Sequence, residues 1–191
     1  MIKINQLDIN PPLRGIYQKY NAALAALTVS KTFLFNDEKK YLSGIENVSK
    51  NTGLQGRYEF FHKDPTIIFD SAHNPEGIEN FLTEFAKEAG NYKKRTLLFG
   101  AMRDKAIGDM LLMLSKYFDE IMITEIQYER AAKMEEISEL CKRFDIPIKQ
   151  VIEPASFVKS FTKRNADECL VVLGSMYLLG EIKQQLLVEV A

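Results

Sequence analysis

An acid, an imidazole and an amide stand close together where an apolar run of the sequence ends. The run covers residues 66–69, and the segment that follows it is Asp70-Ser71-Ala72-His73-Asn74-Pro75. Asn74 suits the N-cap of a helix and Pro75 suits its first position, so the pattern predicts a strand, a short loop and a helix in succession. In open α/β sheets ligands bind at the carboxyl ends of strands, and helix N-termini favour anions. Asp70 and His73 are therefore candidate site residues.

Polar residues also follow the other apolar runs that predict strands. The loop over residues 100–105 ends with Lys105, and Ser175 follows the last such run after a glycine. Because the carboxyl ends of parallel strands meet at one edge of a sheet, these residues and the segment above form a candidate pocket. Each also has a purely structural interpretation, as a turn residue, a helix cap, a partner of a nearby carbonyl or a solvated charge. Arg57, at the start of another predicted strand, has the same two interpretations.

Composition and charge narrow the function classes. The chain has 191 residues, 46% of them hydrophobic, and a net charge of −1, which fits one full domain with an additional segment and gives no electrostatic case for nucleic-acid binding. No apolar run approaches the roughly 20 residues that cross a bilayer, so we expect no membrane partner. Cys141 and Cys169 stand on apolar faces, which predicts buried free thiols in the reducing cytoplasm. Two cysteines and two histidines argue against a structural zinc site.

The apolar pattern predicts a short helical segment followed by alternating strands and helices. Residues 1–14 predict a strand or extended arm, and helices are predicted over 18–35, with Tyr20 and Leu24 on one face, and over 38–50. The predicted strands that follow are 58–62, 66–70, 96–100, 120–124, 149–151 and 169–174. The predicted helices that follow are 75–89, 106–117, 131–143, 154–163 and 176–187. The first two strands form a hairpin, and β-α-β order then predicts an α/β fold with a Rossmann-like, mostly parallel sheet of about six strands, one antiparallel edge and helices on both faces.

Several nucleotide-binding and catalytic motifs do not occur in the sequence. None of the ten glycines forms the GxxxxGK[ST] pattern that holds a triphosphate, and GxGxxG does not occur either. There is also no GxSxG elbow, which argues against a covalent serine nucleophile. The sequence therefore contains neither a P-loop that holds a triphosphate nor a motif for covalent catalysis.

Four segments resemble the C-terminal part of folylpolyglutamate synthase/dihydrofolate synthase, a member of the Mur ligase superfamily. Residues 13–25 resemble the family's G-x-x-Q-x-x-N-A-A-x-A helix start, and Gly56-Arg57-Tyr58-Glu59 resembles its G-R-x-E. Residues 70–75 are similar to D-G-A-H-N-P, with Ser71 in place of the usual glycine. Residues 172–181 resemble the family's G-S-x-Y-x-x-G-E ending, so the resemblance covers nearly the whole chain.

The resemblance implies ATP-dependent addition of L-glutamate to the γ-carboxylate of a folate. The carboxylate is phosphorylated to an acyl phosphate, which the glutamate amine attacks. By resemblance, Asn21 contacts the adenine, Arg57 the phosphates and Asp70 the ribose. The chemistry of these side chains agrees, because arginine is a permanent charge suited to phosphate and a carboxylate can accept bonds from ribose hydroxyls.

The same resemblance assigns the catalytic and substrate-binding residues. His73 and Lys105, the latter in a D-K pair that the family shares, are implied to be catalytic. His73 and Ser175 are implied to contact the substrate near the nucleotide or the incoming glutamate. No residue of this chain is implied to hold a metal, because the family's magnesium ligands lie largely in its N-terminal ATPase domain.

The family's N-terminal ATPase domain, with its glycine-rich P-loop, has no counterpart in this sequence. By resemblance, residues 1–55 are the tail of that central ATPase domain with a linker, and residues 56–191 are a Mur ligase-type C-terminal domain. We therefore expect the chain to be inactive unless the missing N-terminal ATPase domain is supplied as a partner.

Two other functions remain open at this point. The chain could be a stand-alone Rossmann-like module that binds a small acidic metabolite, or a small hydrolase or transferase that uses Asp70 and His73 as acid–base partners. Asn21 and Arg57, which are remote in sequence yet match the family, favour the ligase over the binding module. The sequence does not separate a folate from a dihydropteroate substrate, because pterin contacts in the family come largely from the missing domain.

Overall fold

The structure, a computed structural model, describes residue 9 and residues 11–32 and 37–188. The chain divides into two compact units, Met1–Arg57 and Tyr58–Ala191. The strand or arm predicted over residues 1–14 lies largely outside the described residues. In its described part the first unit is helical, whereas the second is built on a sheet.

The first unit contains three helices: α1 (Ile16–Lys31), α2 (Glu38–Glu46) and α3 (Val48–Thr52). The prediction of a single helix over residues 38–50 was wrong, because Asn47 separates α2 from α3 with φ −106° and ψ 17°. The side-chain amide of Asn47 donates to the carbonyl oxygen of Ser43 at 2.8 Å. The Ser43 carbonyl also accepts from the Asn47 backbone amide at 3.1 Å, so the side-chain bond adds to the last bond of α2 where the helix ends.

The apolar face predicted for α1 is not its buried side. Tyr20 and Leu24 are exposed, whereas the buried residues of this helix are Gln18, Ala22 and Ala26. Helical periodicity identifies the side chains that share a face, but it does not identify the face that another element covers.

The second unit contains a six-stranded sheet, as predicted. Its strands are β1 (Glu59–Lys63), β2 (Thr66–Phe69), β3 (Lys94–Phe99), β4 (Glu120–Ile123), β5 (Lys149–Gln150) and β6 (Glu168–Leu173). Their order across the sheet is β1-β2-β6-β3-β4-β5. β1 pairs with β2 in antiparallel orientation and every other pairing is parallel, which confirms the predicted hairpin and the antiparallel edge.

Helices cover both faces of this sheet. They are α4 (Pro75–Phe85), α5 (Ile107–Leu114), α6 (Met134–Arg143), α7 (Pro154–Phe161) and α8 (Met176–Val188). Ile68 of β2 packs in the cluster that includes α4, α5 and α6, whereas Ile67 and Phe69 pack in the cluster that includes α7 and α8. This alternation follows the two-residue period of a strand, and each buried side chain stabilises the fold by about 1.5–3 kcal/mol. No helix in the described part of the chain is long and apolar enough to cross a membrane.

The helix predicted over residues 131–143 begins three residues later, at Met134. The residues before Met134 do not join the helix, because the Ala132 amide donates to the carbonyl oxygen of Ala101 at 2.9 Å. The Glu136 carboxylate then accepts from the Lys133 amide at 2.8 Å, which starts the helix. The result ties the start of α6 to the loop that follows β3.

The strand order places a topological switch point in the middle of the sheet. β6 lies between β2 and β3, and it leads into α8 on one face, whereas β2 and β3 lead into α4 and α5 on the other. Connections that leave neighbouring strands towards opposite faces open a crevice at their carboxyl ends, which is where open α/β sheets bind ligands.

Both cysteines are free and buried, as the sequence predicts. Burial raises the pKa of the Cys141 thiol. Burial, with a smaller contribution from Glu88, raises the pKa of Cys169 to about 12. Neither thiol therefore has the exposed, thiolate character of a reactive cysteine.

Candidate functional site

Three loops meet at the carboxyl ends of the central strands. The Gly174 amide donates to the carbonyl oxygen of Ala72 at 3.1 Å, and the Gly100 amide donates to that of Leu173 at 3.3 Å. These backbone bonds join the loops that follow β2, β3 and β6. The segments that the sequence singled out after these three strands therefore lie side by side in the structure.

Gly174 permits this close approach. Its φ of 111° lies in a region that residues with a side chain rarely adopt. A Cβ atom at this position would lie 2.5 Å from the carbonyl oxygen of Gly100 and 2.9 Å from the Phe99 ring. The loops after β3 and β6 could not keep this separation with any other residue at position 174.

Asp70 is buried, with 4% of its surface exposed, and its carboxylate accepts two backbone hydrogen bonds. One oxygen accepts from the Tyr58 amide at 2.7 Å and the other accepts from the Ala72 amide at 2.8 Å. The turn role that the sequence left as an alternative is therefore present. The ribose contact implied by resemblance stays a prediction.

His73 is exposed at the same edge, and one of its ring nitrogens is engaged. Nδ1 lies 2.9 Å from the carbonyl oxygen of Ser71. Because a carbonyl oxygen only accepts, Nδ1 donates, and the neutral ring then carries a lone pair on Nε2. The bond to a nearby carbonyl, which the sequence left as an alternative, thus sets the tautomer that a proton acceptor requires.

Two helices begin beside this residue. The Asn74 side chain accepts from the Gly77 amide at 2.7 Å at the start of α4, with Pro75 in the first turn, as predicted. Ser175 is buried and its Oγ accepts from the Tyr177 amide at 3.1 Å at the start of α8. Helix N-termini carry partial positive charge, so two of them at one edge favour an anionic group there.

Lys105 lies in the loop after β3, and its ammonium group is 3.4 Å from the Asp104 carboxylate. It lines a cavity of about 280 Å³ together with Arg103, Glu139 and Arg143. The lysine belongs to the same sheet edge as the loops above, but this cavity is lined by neither Asp70, His73 nor Ser175. Its catalytic role stays a prediction.

Asn21 and Arg57 belong to the first unit. Asn21 is exposed on α1, and its side-chain amide donates to the Gln18 side chain at 3.4 Å. Arg57 is half-buried and is the last residue of that unit. The adenine and phosphate contacts implied for them stay predictions.

The part of the chain that the structure describes contains no cluster of metal-ligating side chains. Among residues 9, 11–32 and 37–188, no group of three or more histidine, cysteine or acidic side chains could hold a metal ion. A magnesium ion that is held mainly by nucleotide phosphates and water needs only one or two protein carboxylates, and the resemblance assigns those to another domain. No step proposed below therefore runs through a metal held by this chain.

The family described as "Mur ligase, glutamate ligase domain" matches residues 56–176. The chain belongs to this family. The match confirms the resemblance that the sequence motifs indicated. It includes Arg57, Asp70, His73, Lys105 and Ser175, whereas Asn21 lies before the matched residues of this Mur ligase domain.

Relatives of this Mur ligase domain are similar over almost its whole length. The dihydrofolate synthase/folylpolyglutamate synthase of Bacillus subtilis is 26% identical over 186 residues, which cover 94% of this chain and 41% of that protein. The probable bifunctional folylpolyglutamate synthase/dihydropteroate synthase of Haloferax volcanii is 27% identical over 182 residues, which cover 93% and 20%. The chain thus spans less than half the length of these curated relatives.

A solved structure agrees with the fold. The Mycobacterium tuberculosis folylpolyglutamate synthase complexed with ADP and AMPPCP superposes with a TM-score of 0.74 and 25% sequence identity. The superposition covers 94% of this chain and 42% of that protein. It confirms the predicted sheet with helices on both faces.

Sequence reasoning missed the residues that support Asp70 in this Mur ligase domain. Tyr58 is buried with a φ of 48°, its amide donates to Asp70, and its hydroxyl donates to Glu88 at 2.8 Å. The Tyr92 hydroxyl also donates to Glu88 at 2.8 Å, and burial raises the pKa of Tyr92. The sequence does contain a bulky residue, Tyr58, directly after the Gly56-Arg57 pair. The apolar periodicity on which the strand predictions rest does not indicate that this residue supports Asp70.

Proposed function

We propose that this chain is the C-terminal domain of an ATP-dependent ligase that joins L-glutamate to the carboxylate of a folate or dihydropteroate. The observation that carries the proposal is the hydrogen bond of 3.1 Å between the Gly174 amide and the Ala72 carbonyl oxygen. It holds the two most specific motifs of the resemblance, residues 70–75 and 172–181, at one sheet edge. The names of the relatives as folylpolyglutamate and dihydrofolate synthases support the substrate class.

His73 would accept the proton that the glutamate amine must lose as it forms the amide. Its Nε2 carries the lone pair because Nδ1 donates to Ser71, and a positioned imidazole accelerates such transfers by about 10²–10⁴-fold. The ammonium of Lys105 would stabilise negative charge that develops on the transferred phosphoryl group. Ser175, with the N-terminus of α8 behind it, would bind a carboxylate of the incoming glutamate.

ATP, when bound, would supply the phosphoryl group that activates the carboxylate. Arg57 offers a permanent positive charge for its phosphates, Asp70 offers carboxylate lone pairs for ribose hydroxyls, and Asn21 offers an amide for the adenine. The nucleotides in the Mycobacterium tuberculosis complex support this class of ligand. The buried polar loop and two helix N-termini fit an anionic nucleotide better than an apolar ligand.

We further propose that residues 1–55 belong to the end of an ATPase domain with its linker, and that residues 56–191 form the ligase domain, inactive without that partner. The chain covers 41% of the Bacillus subtilis relative, which leaves room for such a domain. Its sequence contains no GxxxxGK[ST], and its described residues hold no metal cluster. The free buried thiols support a cytoplasmic location.

A chimera tests the function. The segment of the Bacillus subtilis relative that aligns with this chain would be replaced by the chain, and incorporation of labelled L-glutamate would be measured with tetrahydrofolate and with dihydropteroate. We expect ATP-dependent incorporation with at least one acceptor, and none with the chain by itself. A chimera that melts cooperatively and binds ATP, yet incorporates no glutamate with either acceptor, would overturn the proposal.

A further inference from the structure

Tyr58 has a backbone conformation that bulky residues rarely adopt. Its φ is 48°, in the left-handed region that favours glycine, although it carries a full aromatic ring. Residues in this region cost free energy, persist only where their surroundings hold them, and cluster at functional sites. Tyr58 is the first residue of the second unit and directly precedes β1, so its conformation sets how the chain enters the sheet.

The side chain of Tyr58 supplies the contacts that hold this conformation. The residue is buried, and its ring centroid lies 5.4 Å from that of Phe81 and 5.9 Å from that of Phe60. Its hydroxyl donates to one oxygen of the Glu88 carboxylate at 2.8 Å. A ring that packs against two others and is bonded to a charged group at its far end restricts the backbone to which it is attached.

Glu88 is fixed in turn by a second tyrosine. The Tyr92 hydroxyl donates to the other carboxylate oxygen, also at 2.8 Å. Burial raises the pKa of Tyr92, so its hydroxyl keeps its proton and remains a donor at neutral pH. Hydrogen bonds to a charged acceptor are stronger than neutral ones, and two donors on two different oxygens set the orientation of the carboxylate. Glu88 is therefore a fixed anchor for the Tyr58 hydroxyl.

The backbone amide of Tyr58 carries this restraint to Asp70. It donates to one oxygen of the Asp70 carboxylate at 2.7 Å, while the Ala72 amide donates to the other at 2.8 Å. Because the peptide group is planar, a change in the φ of Tyr58 turns the whole peptide that bears this N–H relative to β1. The amide then no longer points at the carboxylate. A chain of contacts thus runs from Glu88 through the ring and backbone of Tyr58 to Asp70.

We propose that Tyr58 and Glu88 are positioning residues that orient the Asp70 carboxylate for the ribose of a nucleotide. The inference rests on the proposed function for the ribose contact itself, and that function uses neither of these two side chains. Loss of the bond between Tyr58 and Glu88 weakens the binding of ribose hydroxyls selectively, because Asp70 is the group that loses its orientation. A purely structural role of Tyr58 would instead weaken the binding of every nucleotide alike.

Amide hydrogen exchange in the full chain without nucleotide tests whether Tyr58 orients Asp70. Tyr58→Phe removes the hydroxyl bond to Glu88 and keeps the ring, and the matched control Tyr92→Phe removes the bond to the other oxygen. Relative to the amides of β6, which report global unfolding, the amide of residue 58 should exchange at least about tenfold faster in Tyr58→Phe and within about threefold in Tyr92→Phe. If Tyr58→Phe does not melt cooperatively, Glu88→Gln replaces it and should accelerate the same amide by about threefold or more. Equal exchange of this amide in the variant and the control would overturn the inference.

The affinities of the chimera for ATP and for 2′,3′-dideoxy-ATP test the consequence for ribose binding. The unsubstituted chimera and its Tyr92→Phe variant should bind ATP at least about tenfold more tightly than the dideoxy nucleotide, because ribose hydroxyls donate to a carboxylate. In Tyr58→Phe this ratio should fall to about threefold or less, while the affinity for the dideoxy nucleotide stays within about twofold. A ratio that Tyr58→Phe leaves unchanged would overturn the inference. If the unsubstituted chimera does not discriminate, the ribose contact of the proposed function fails, and the exchange rate at residue 58 decides whether Tyr58 orients Asp70.

Discussion

Replacement of Asp70 by asparagine should destabilise the sheet edge strongly. The buried carboxylate accepts from the Tyr58 amide at 2.7 Å and from the Ala72 amide at 2.8 Å. In Asp70→Asn the amide oxygen can accept one of these bonds, but its NH₂ group must face the other backbone N–H. Two donors then oppose each other in a site that is closed to water.

The magnitude follows from these two bonds. Loss of one hydrogen bond to a charged group costs about 1.5–3 kcal/mol, and a buried backbone donor without a partner costs about 1–3 kcal/mol. We therefore expect Asp70→Asn to lower the free energy of unfolding by about 2.5–6 kcal/mol, a large share of the roughly 5–15 kcal/mol of a typical domain.

Urea unfolding followed by far-ultraviolet circular dichroism measures this free energy. Asp64→Asn is the matched control, because Asp64 is exposed in the turn between β1 and β2 and should change the free energy by less than about 0.5 kcal/mol. If Asp70→Asn also falls within about 0.5 kcal/mol of the unsubstituted chain, the two backbone bonds do not hold this edge and the reasoning is refuted.

Three further predictions concern the stability and accessibility of the second unit. Gly174→Ala should lower the free energy of unfolding by about 2–5 kcal/mol, because the backbone is strained there and the added Cβ overlaps its neighbours. Gly180→Ala in α8 should raise the free energy of unfolding by about 0.5–1 kcal/mol, because its Cβ meets nothing within 4 Å. Equal effects of the two substitutions on urea unfolding would contradict this prediction. Both thiols should react with a disulfide reagent only after unfolding, and rapid reaction in native buffer would contradict their burial. Hydrogen bonds from the Arg95 side chain lower the pKa of Asp119, so this pair adds stability above the unfolded pKa of about 4 and loses it as pH falls. Asp119→Asn should therefore lower the free energy of unfolding by less than about 1 kcal/mol at pH 7 and should leave it unchanged in acid. A loss of stability that grows as the pH falls would contradict this prediction.

The sheet and the loop after β2 could be predicted because their signals are local. Ile67, Ile68 and Phe69 are all buried, as a short apolar run in a central parallel strand requires. Asn74 caps α4 as its type and position predict. The order of strands and helices along the chain then restricts the topology to few choices, so the sequence could predict that the loops after β2, β3 and β6 share one sheet edge.

Features that depend on distant partners could not be predicted. Asp70 is held by the Tyr58 amide, twelve residues away, through a positive φ that no periodicity reveals. The break at Asn47 lies within a segment whose apolar pattern is compatible with one helix, and the side-chain bond found there leaves no mark in that pattern. The bond between the Tyr58 hydroxyl and Glu88 joins residues that only the tertiary structure brings together.

The central claim is that the sheet edge around His73 performs ligase chemistry, and the two histidines of the chain allow a matched test. In each, Nδ1 contacts a nearby backbone carbonyl, at 2.9 Å for His73 and 2.8 Å for His62. His62 lies in β1 near the turn into β2, at the opposite edge of the sheet from the candidate site. The substitution His→Gln at each position therefore removes the same ring from similar surroundings.

The decisive measurement is the rate of L-glutamate incorporation by the chimera carrying either substitution. The account predicts that His73→Gln lowers the rate by about 100-fold or more while ATP binding is retained, because the proton acceptor is lost. It predicts that His62→Gln stays within about twofold of the unsubstituted chimera, as expected for a group that takes no part in proton transfer. Equal rates for the two variants would contradict the account.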